Sequence, residues 1–248
     1  MRKQFVITAV VVGIFMIMSS GLSWGQDADQ PENGPYKEYY EGSDAGVKAE
    51  LNFKNGLRNG PFREFYPSEK LSVVGSYKDG KLHGSYKSYY ENGTLSAEQV
   101  YTHGDLEGLS KEYYENEHPK SEEHYRAGDL EGMCKYFYEN GNLKNTMQFK
   151  NGELNGLSQE FDDDGVLTTE IMYKQGQITG VIKEYDEEGR VKTLSAYVNG
   201  QKNGESKTFY ENGQVEWDLN FKDGQIQGAA KKYSPKGELL TNAEVAPQ

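Results

Sequence analysis

The sequence predicts an all-β protein: an elongated repeat array of stacked antiparallel β-hairpins forming a twisted single sheet. Three observations carry that expectation. The chain has a 24-residue internal period, its glycines hold fixed places in the period, and two aromatic rows flank a recurrent Glu-Asn-Gly. Composition excludes a helical bundle and a doubly wound α/β enzyme. Glycine (29), tyrosine (19) and phenylalanine (10) dominate a chain that is only 35% hydrophobic, where helical cores need Leu, Ala and Met.

The period does not begin at residue 1. Met1-Arg2-Lys3 precedes an apolar run from Phe5 to Met18, and small residues follow to Gly25. A basic start, a short apolar stretch and Ser23-Trp24-Gly25 match a secretory signal peptide over 1–25, cleaved near Gly25-Gln26. The expected location is periplasmic or secreted. If the leader were retained, Phe5–Trp24 is long enough to anchor the chain in a bilayer. Residues 26–33 read as a polar tether.

The repeat domain is expected over 34–240, as eight full units and one partial unit. Regular units open at Gly60, Gly84, Gly108, Gly132, Gly156, Gly180 and Gly204. A longer first unit opens at Gly34, and a partial one runs from Gly228 to about Leu240, leaving a polar tail over 241–248. Further glycines recur as Gly80, Gly104, Gly128, Gly152, Gly176, Gly200 and Gly224, and as Gly93, Gly141, Gly165, Gly189, Gly213 and Gly237. The glycine excess is positional, as backbone turns require.

Each unit holds two strand-like runs. The first carries an aromatic at Tyr89, Tyr113 and Phe137 and their repeats; the second ends in one at Tyr101, Tyr125 and Phe149. Asn-Gly between such runs, as at Asn92-Gly93, predicts a hairpin with a two-residue type I′ turn. That turn sets Tyr90 opposite Leu95, Lys87 opposite Glu98, Lys111 opposite Glu122 and Lys207 opposite Asp218. One face gathers Tyr90, Leu95 and Tyr101, and the other Lys87, Tyr89 and Glu98. A longer joint, such as Lys150–Gly156, links each hairpin to the next. A lone hairpin is marginal in water, so the units must stack.

Tyr89–Leu95 (Tyr-Tyr-Glu-Asn-Gly-Thr-Leu) and Phe149–Gly156 (Phe-Lys-Asn-Gly-Glu-Leu-Asn-Gly) resemble the bacterial variant of the MORN repeat. The resemblance implies an elongated sheet of stacked hairpins and a scaffold or partner-binding role. Proteins with this variant are often labelled antitoxins of toxin–antitoxin pairs. Departures stand at Glu117-His118-Pro119, Asp162-Asp163-Asp164 and Asp186-Glu187-Glu188.

No catalytic, cofactor-binding or metal-binding residues are expected. His83, His103, His118 and His124 occupy four different unit positions, so no ligand row forms. The single cysteine, Cys134, reads as a small strand residue, and one cysteine supports neither a disulfide framework nor a cysteine zinc cluster. Asp162-Asp163-Asp164-Gly165 reads as an acidic turn, lacking the spacing of a calcium loop. A net charge of −12 argues against nucleic acid and against an anionic membrane surface, except through an uncleaved leader.

The expected activity is therefore non-enzymatic: an exported scaffold binding a protein partner through its sheet. The candidate strip is Tyr66, Tyr90, Tyr114 and Tyr138, a row interrupted by Asp162 and Asp186. Two other readings use the same surface. One is a carbohydrate or cell-wall glycan module, and the other an antitoxin-like protein that neutralises a toxin by direct binding.

Overall fold

The computed structural model describes residues 30–42 and 46–245; the expected leader lies outside the described residues. Twenty-four strands form a single open antiparallel sheet, and no helix occurs among the described residues. A middle unit shows why these residues fold so. Gly84–Tyr89 runs against Leu95–Thr102, with Gly84 opposite Tyr101 and Lys87 opposite Glu98. Asp105–Leu106 and Gly108–Tyr113 then both pair back onto Leu95–Thr102, the next unit beginning on the last strand of this one.

The expected pairs Lys87–Glu98, Lys111–Glu122 and Lys207–Asp218 all stand opposite one another. The turns differ from expectation. At Asn92-Gly93 the Gly93 N–H donates to the Tyr90 carbonyl at 2.8 Å, and the Tyr90 N–H donates to the Thr94 carbonyl at 2.9 Å. That closes a three-residue loop in which Gly93 (φ 95) has positive φ and Asn92 does not. A bulge between Ser88 and Tyr89 absorbs the extra residue. The strand bodies keep the expected register, but Leu95 faces Tyr89 rather than Tyr90.

The type I′ conformation sits at the other connection. Asn151 (φ 50) and Gly152 (φ 77) both have positive φ, with Lys150 opposite Glu153 across them. The expected long joint is thus itself a two-residue hairpin turn. Its repeats place Asp79, His103, Ala127, Gln175, Asn199 and Asp223 at positive φ as well. Tight turns at both ends make the chain one continuous meander. It does not stop where the repeat pattern fades: Leu239–Val245 passes Thr241 and pairs with Gly228–Tyr233 along its whole length.

Alternation along each strand separates two faces. One buries its side chains. At the first units this face is apolar, a cluster of Ala49, Leu51, Phe53 and Phe62 packed by Tyr36, Val73, Tyr77, Leu82 and Tyr86. Further along it becomes mixed, with Ser110, Ser121, Glu123, Asn145, Ser158, Ser195 and Ser206 buried alongside Cys134, Phe149 and Ile182. The other face carries the charge pairs, Lys87 Nζ lying 2.7 Å from Glu98 Oε1 and Lys111 Nζ 3.3 Å from Glu122 Oε1. Exposed pairs of this kind fix register more than they stabilise.

Candidate binding surface

The sheet brings Tyr66, Tyr90, Tyr114 and Tyr138 into one row, at equal places in four successive units. Each is half-buried, and each hydroxyl is engaged. Tyr66 Oη donates to the Tyr89 carbonyl at 2.7 Å and Tyr90 Oη to the Tyr113 carbonyl at 2.6 Å. Tyr114 Oη donates to the Phe137 carbonyl at 2.8 Å and Tyr138 Oη to the Phe161 carbonyl at 2.9 Å. Tyr40 and Tyr210 do the same to Phe65 and Tyr233. The tyrosines thus rivet each unit to the next, each bond contributing about 1 kcal/mol. Lys144 Nζ lies 5.5 Å from the Tyr138 ring centre, adding a cation–π contact.

The asparagine of Glu-Asn-Gly makes a second bridge. Asn140 Oδ1 accepts the Asn142 N–H at 2.9 Å, closing its own turn, while its Nδ2 donates to the Asp163 carbonyl at 2.7 Å in the next unit. Asn212 repeats this with Gln214 and the Pro235 carbonyl. Asparagine recurs there for its two-ended side chain, which the sequence pattern alone reads as a backbone preference.

The tyrosine row lapses twice. Asp162 Oδ1 accepts the N–H groups of Asp164 and Val166, and Asp186 Oδ1 those of Glu188 and Arg190. These carboxylates cap their own turns and do not cross to the neighbour. Arg190 Nε also lies 2.7 Å from Asp186 Oδ2. Loss of hydration pushes the Asp186 carboxyl up, but the Arg190 N–H, its guanidinium and the Glu188 N–H outweigh this and hold it below its ordinary range. At the same two joints Gln177–Tyr185 and Gln201–Phe209 each form one strand, with a register shift where the other joints divide into a two-residue and a six-residue strand.

Two shallow grooves lie at these joints. One, of about 470 Å³, is lined by Arg190, Val191, Leu194, Phe209 and Glu211. The other, of about 430 Å³, extends over Asp162, Tyr185, Asp186, Glu187, Lys192 and Tyr210.

On the charged face a further row escaped the sequence reading. Leu109, Met133, Leu157 and Val181 recur at the second place of four successive units and stay between 39 and 51% exposed. They stand opposite His124, Gln148, Met172 and Ala196, and Met172 is itself exposed. The signal was present as an apolar residue every 24 positions.

The remaining reactive groups are tied into the fold. Glu123 accepts hydrogen bonds from Tyr125 Oη at 2.8 Å and Tyr136 Oη at 2.7 Å. Burial first, and then the Glu123 charge, hold both phenols well above their ordinary pKa. Cys134 is fully buried, and burial pushes its thiol up to about 11, far from a reactive thiolate. His118 Nδ1 lies 2.8 Å from the Glu139 carbonyl, and the His83 and His103 rings meet edge to face at 5.3 Å. Among the described residues no group of three or more His, Cys, Asp or Glu is placed to hold a metal ion.

Comparison with known proteins agrees with this architecture. The model of the MORN repeat variant matches residues 58–79, 82–103, 106–127, 130–151, 154–175 and 202–223, more than half of the chain. The skipped stretch holds Asp186-Glu187-Glu188. No curated protein matches the chain. Among solved structures, the wild-type TCP10 domain of Danio rerio CPAP in complex with a peptide of Danio rerio STIL is similar, at 12% identity and a TM-score of 0.33 over 86% of this chain and 100% of that one. The six tandem matches, each falling on the hairpin unit seen in the sheet, place the chain in the MORN repeat variant family.

Proposed function

We propose that this repeat scaffold is exported and binds a protein partner through the charged face of its sheet. The observation that supports the reading best is the row Leu109, Met133, Leu157 and Val181, left exposed across four units. An apolar row with a polar rim is what a protein interface presents, and methionine is enriched in such interfaces. The Lys–Glu pairs beside it supply that rim. The tyrosine strip serves the joints between units, its hydroxyls being committed to the neighbouring units.

A photo-crosslinker placed at Met133 of the exported protein tests the reading. The expected result is one discrete protein adduct, lost when Leu109 and Leu157 are both changed to serine while the chain stays folded. An adduct that survives those changes contradicts it. Retention on purified cell-wall glycan without a protein adduct would assign the surface to carbohydrate. A full-length cytosolic form, rather than one beginning near Gln26, would favour the antitoxin-like role.

A further inference from the structure

At six joints a tyrosine of one unit lies against the next and donates its hydroxyl to the carbonyl of that unit's first-strand aromatic, at 2.5–2.9 Å. The chain thereby shows what such a joint accommodates: a phenol ring, a carbonyl acceptor and, at Tyr138, a lysine above the ring. At the two joints after Asp162 and Asp186 the ring is missing but its surroundings remain. The equivalent acceptors are the carbonyls of Tyr185 and Phe209; at the second joint Lys192 stands where Lys144 stands over Tyr138, and at the first Thr168 holds that place. Both grooves open there and share Val191 and Phe209 as apolar walls, with Leu194 lining the first groove.

We infer that these joints receive a tyrosine side chain supplied by a partner protein, carried between basic residues. The ring takes the berth of the missing tyrosine over Phe209, its hydroxyl donates to the carbonyl that would have accepted from that tyrosine, and Lys192 covers its face at the second joint. Charge sets the flanks. Asp162, Asp186, Glu187, Glu188 and Glu211 line the grooves against Arg190 and Lys192, and Arg190 is already paired with Asp186 and Glu188. The surplus of carboxylates complements arginine or lysine on either side of the tyrosine. The position also suits the reading above, on which this inference rests. Lys183–Leu194 and Val181–Ala196 are cross-strand pairs two places apart, so Leu194, which lines one groove, shares its face with Val181 of the exposed row, while Lys192 and Asp186 line the other groove at the turn edge.

Fluorescence anisotropy of the mature chain with labelled Gly-Arg-Tyr-Arg-Gly tests this. Replacing the peptide tyrosine by phenylalanine should weaken binding about fivefold, as expected for one lost hydrogen bond. Replacing it by alanine should weaken binding at least about tenfold, the ring being the anchor. Asp162→Tyr with Asp186→Tyr refills both berths and should abolish binding. Lys192→Met, an exposed change that spares the fold, should weaken it several-fold with an unchanged melting temperature. Equal binding of the tyrosine and alanine peptides, or undiminished binding by the refilled variant, overturns the inference. Self-association of the chain that disappears on refilling would assign the berths to a second copy and overturn it too. The Met133 crosslink separates the two levels: an adduct that persists after refilling leaves the scaffold reading standing while this inference falls.

Discussion

The Phe62 ring lies across Gly75, its cross-strand partner, so closely that a Cβ on Gly75 would stand 2.7 Å from Phe62 Cε1. Elsewhere the equivalent pair also sets a small residue against a larger one, in either order, as in Cys134 with Met147, Ser158 with Ile171 and Ile182 with Ser195. The Phe62–Gly75 pair is the extreme of that exchange. Gly75→Ala should therefore destabilise by about 1–3 kcal/mol through overpacking. Adding Phe62→Ser should recover part of that loss, which a double-mutant cycle in urea would show as a coupling of opposite sign.

Glu117 occupies the turn position that is glycine at Gly93 and Gly141, and it keeps the same left-handed conformation at φ 68. Glu69 does so at φ 63. Side chains there carry a steric cost that glycine lacks. Glu117→Gly should raise stability by about 0.5–1 kcal/mol, read as a higher denaturation midpoint, while Gly93→Glu should lower it.

The two-ended role of asparagine gives a sharper contrast. Asn212→Asp keeps the oxygen that closes the turn on Gln214 but loses the donor to the Pro235 carbonyl. It should cost about 1 kcal/mol, and Asn212→Ala, which loses both, roughly twice that. Equal costs in thermal melts would show that only the bridge to the Pro235 carbonyl matters, and a costless Asn212→Asp that only the turn closure does.

Alkali should unfold the chain through its buried acids. In the folded state burial and the Glu123 charge raise Tyr125 and Tyr136 above 10.0, and burial takes Cys134 from 9.0 to about 11 and Tyr86 from 10.0 to about 12. Raised folded values contribute stability that is complete below the unfolded pKa and lost as pH rises towards the folded one. The melting temperature should hold up to pH 9, the ordinary value for Cys134, and fall above it. Glu123→Gln should make that fall shallower; a flat profile to pH 11 contradicts the assignment.

Much of the fold was legible because it is periodic. Lys87 opposite Glu98 follows from counting residues, and the fold class follows from the 24-residue unit. The turn types were not legible. Asn92-Gly93 and Asn151-Gly152 carry the same dipeptide, yet only the second has both residues at positive φ. The difference arises from the bulge at Tyr89 and from what the Asn92 side chain bonds, neither of which a dipeptide encodes. The tyrosine row was legible as a row, but its partner lies 23 residues away in the next unit. Its hydroxyl contacts therefore appear only once the units are stacked. The exposed apolar row was present in the sequence, but one apolar residue per unit does not encode whether its face is covered.

The most direct test of the account changes Tyr90, Tyr114 and Tyr138 together to phenylalanine. Urea unfolding and partner crosslinking at Met133 are then followed on the same preparation. Loss of three inter-unit hydrogen bonds should lower stability by about 3 kcal/mol, while the folded protein still yields the adduct. An unchanged urea midpoint with loss of the adduct would contradict the account, placing those hydroxyls at the partner interface rather than between the units.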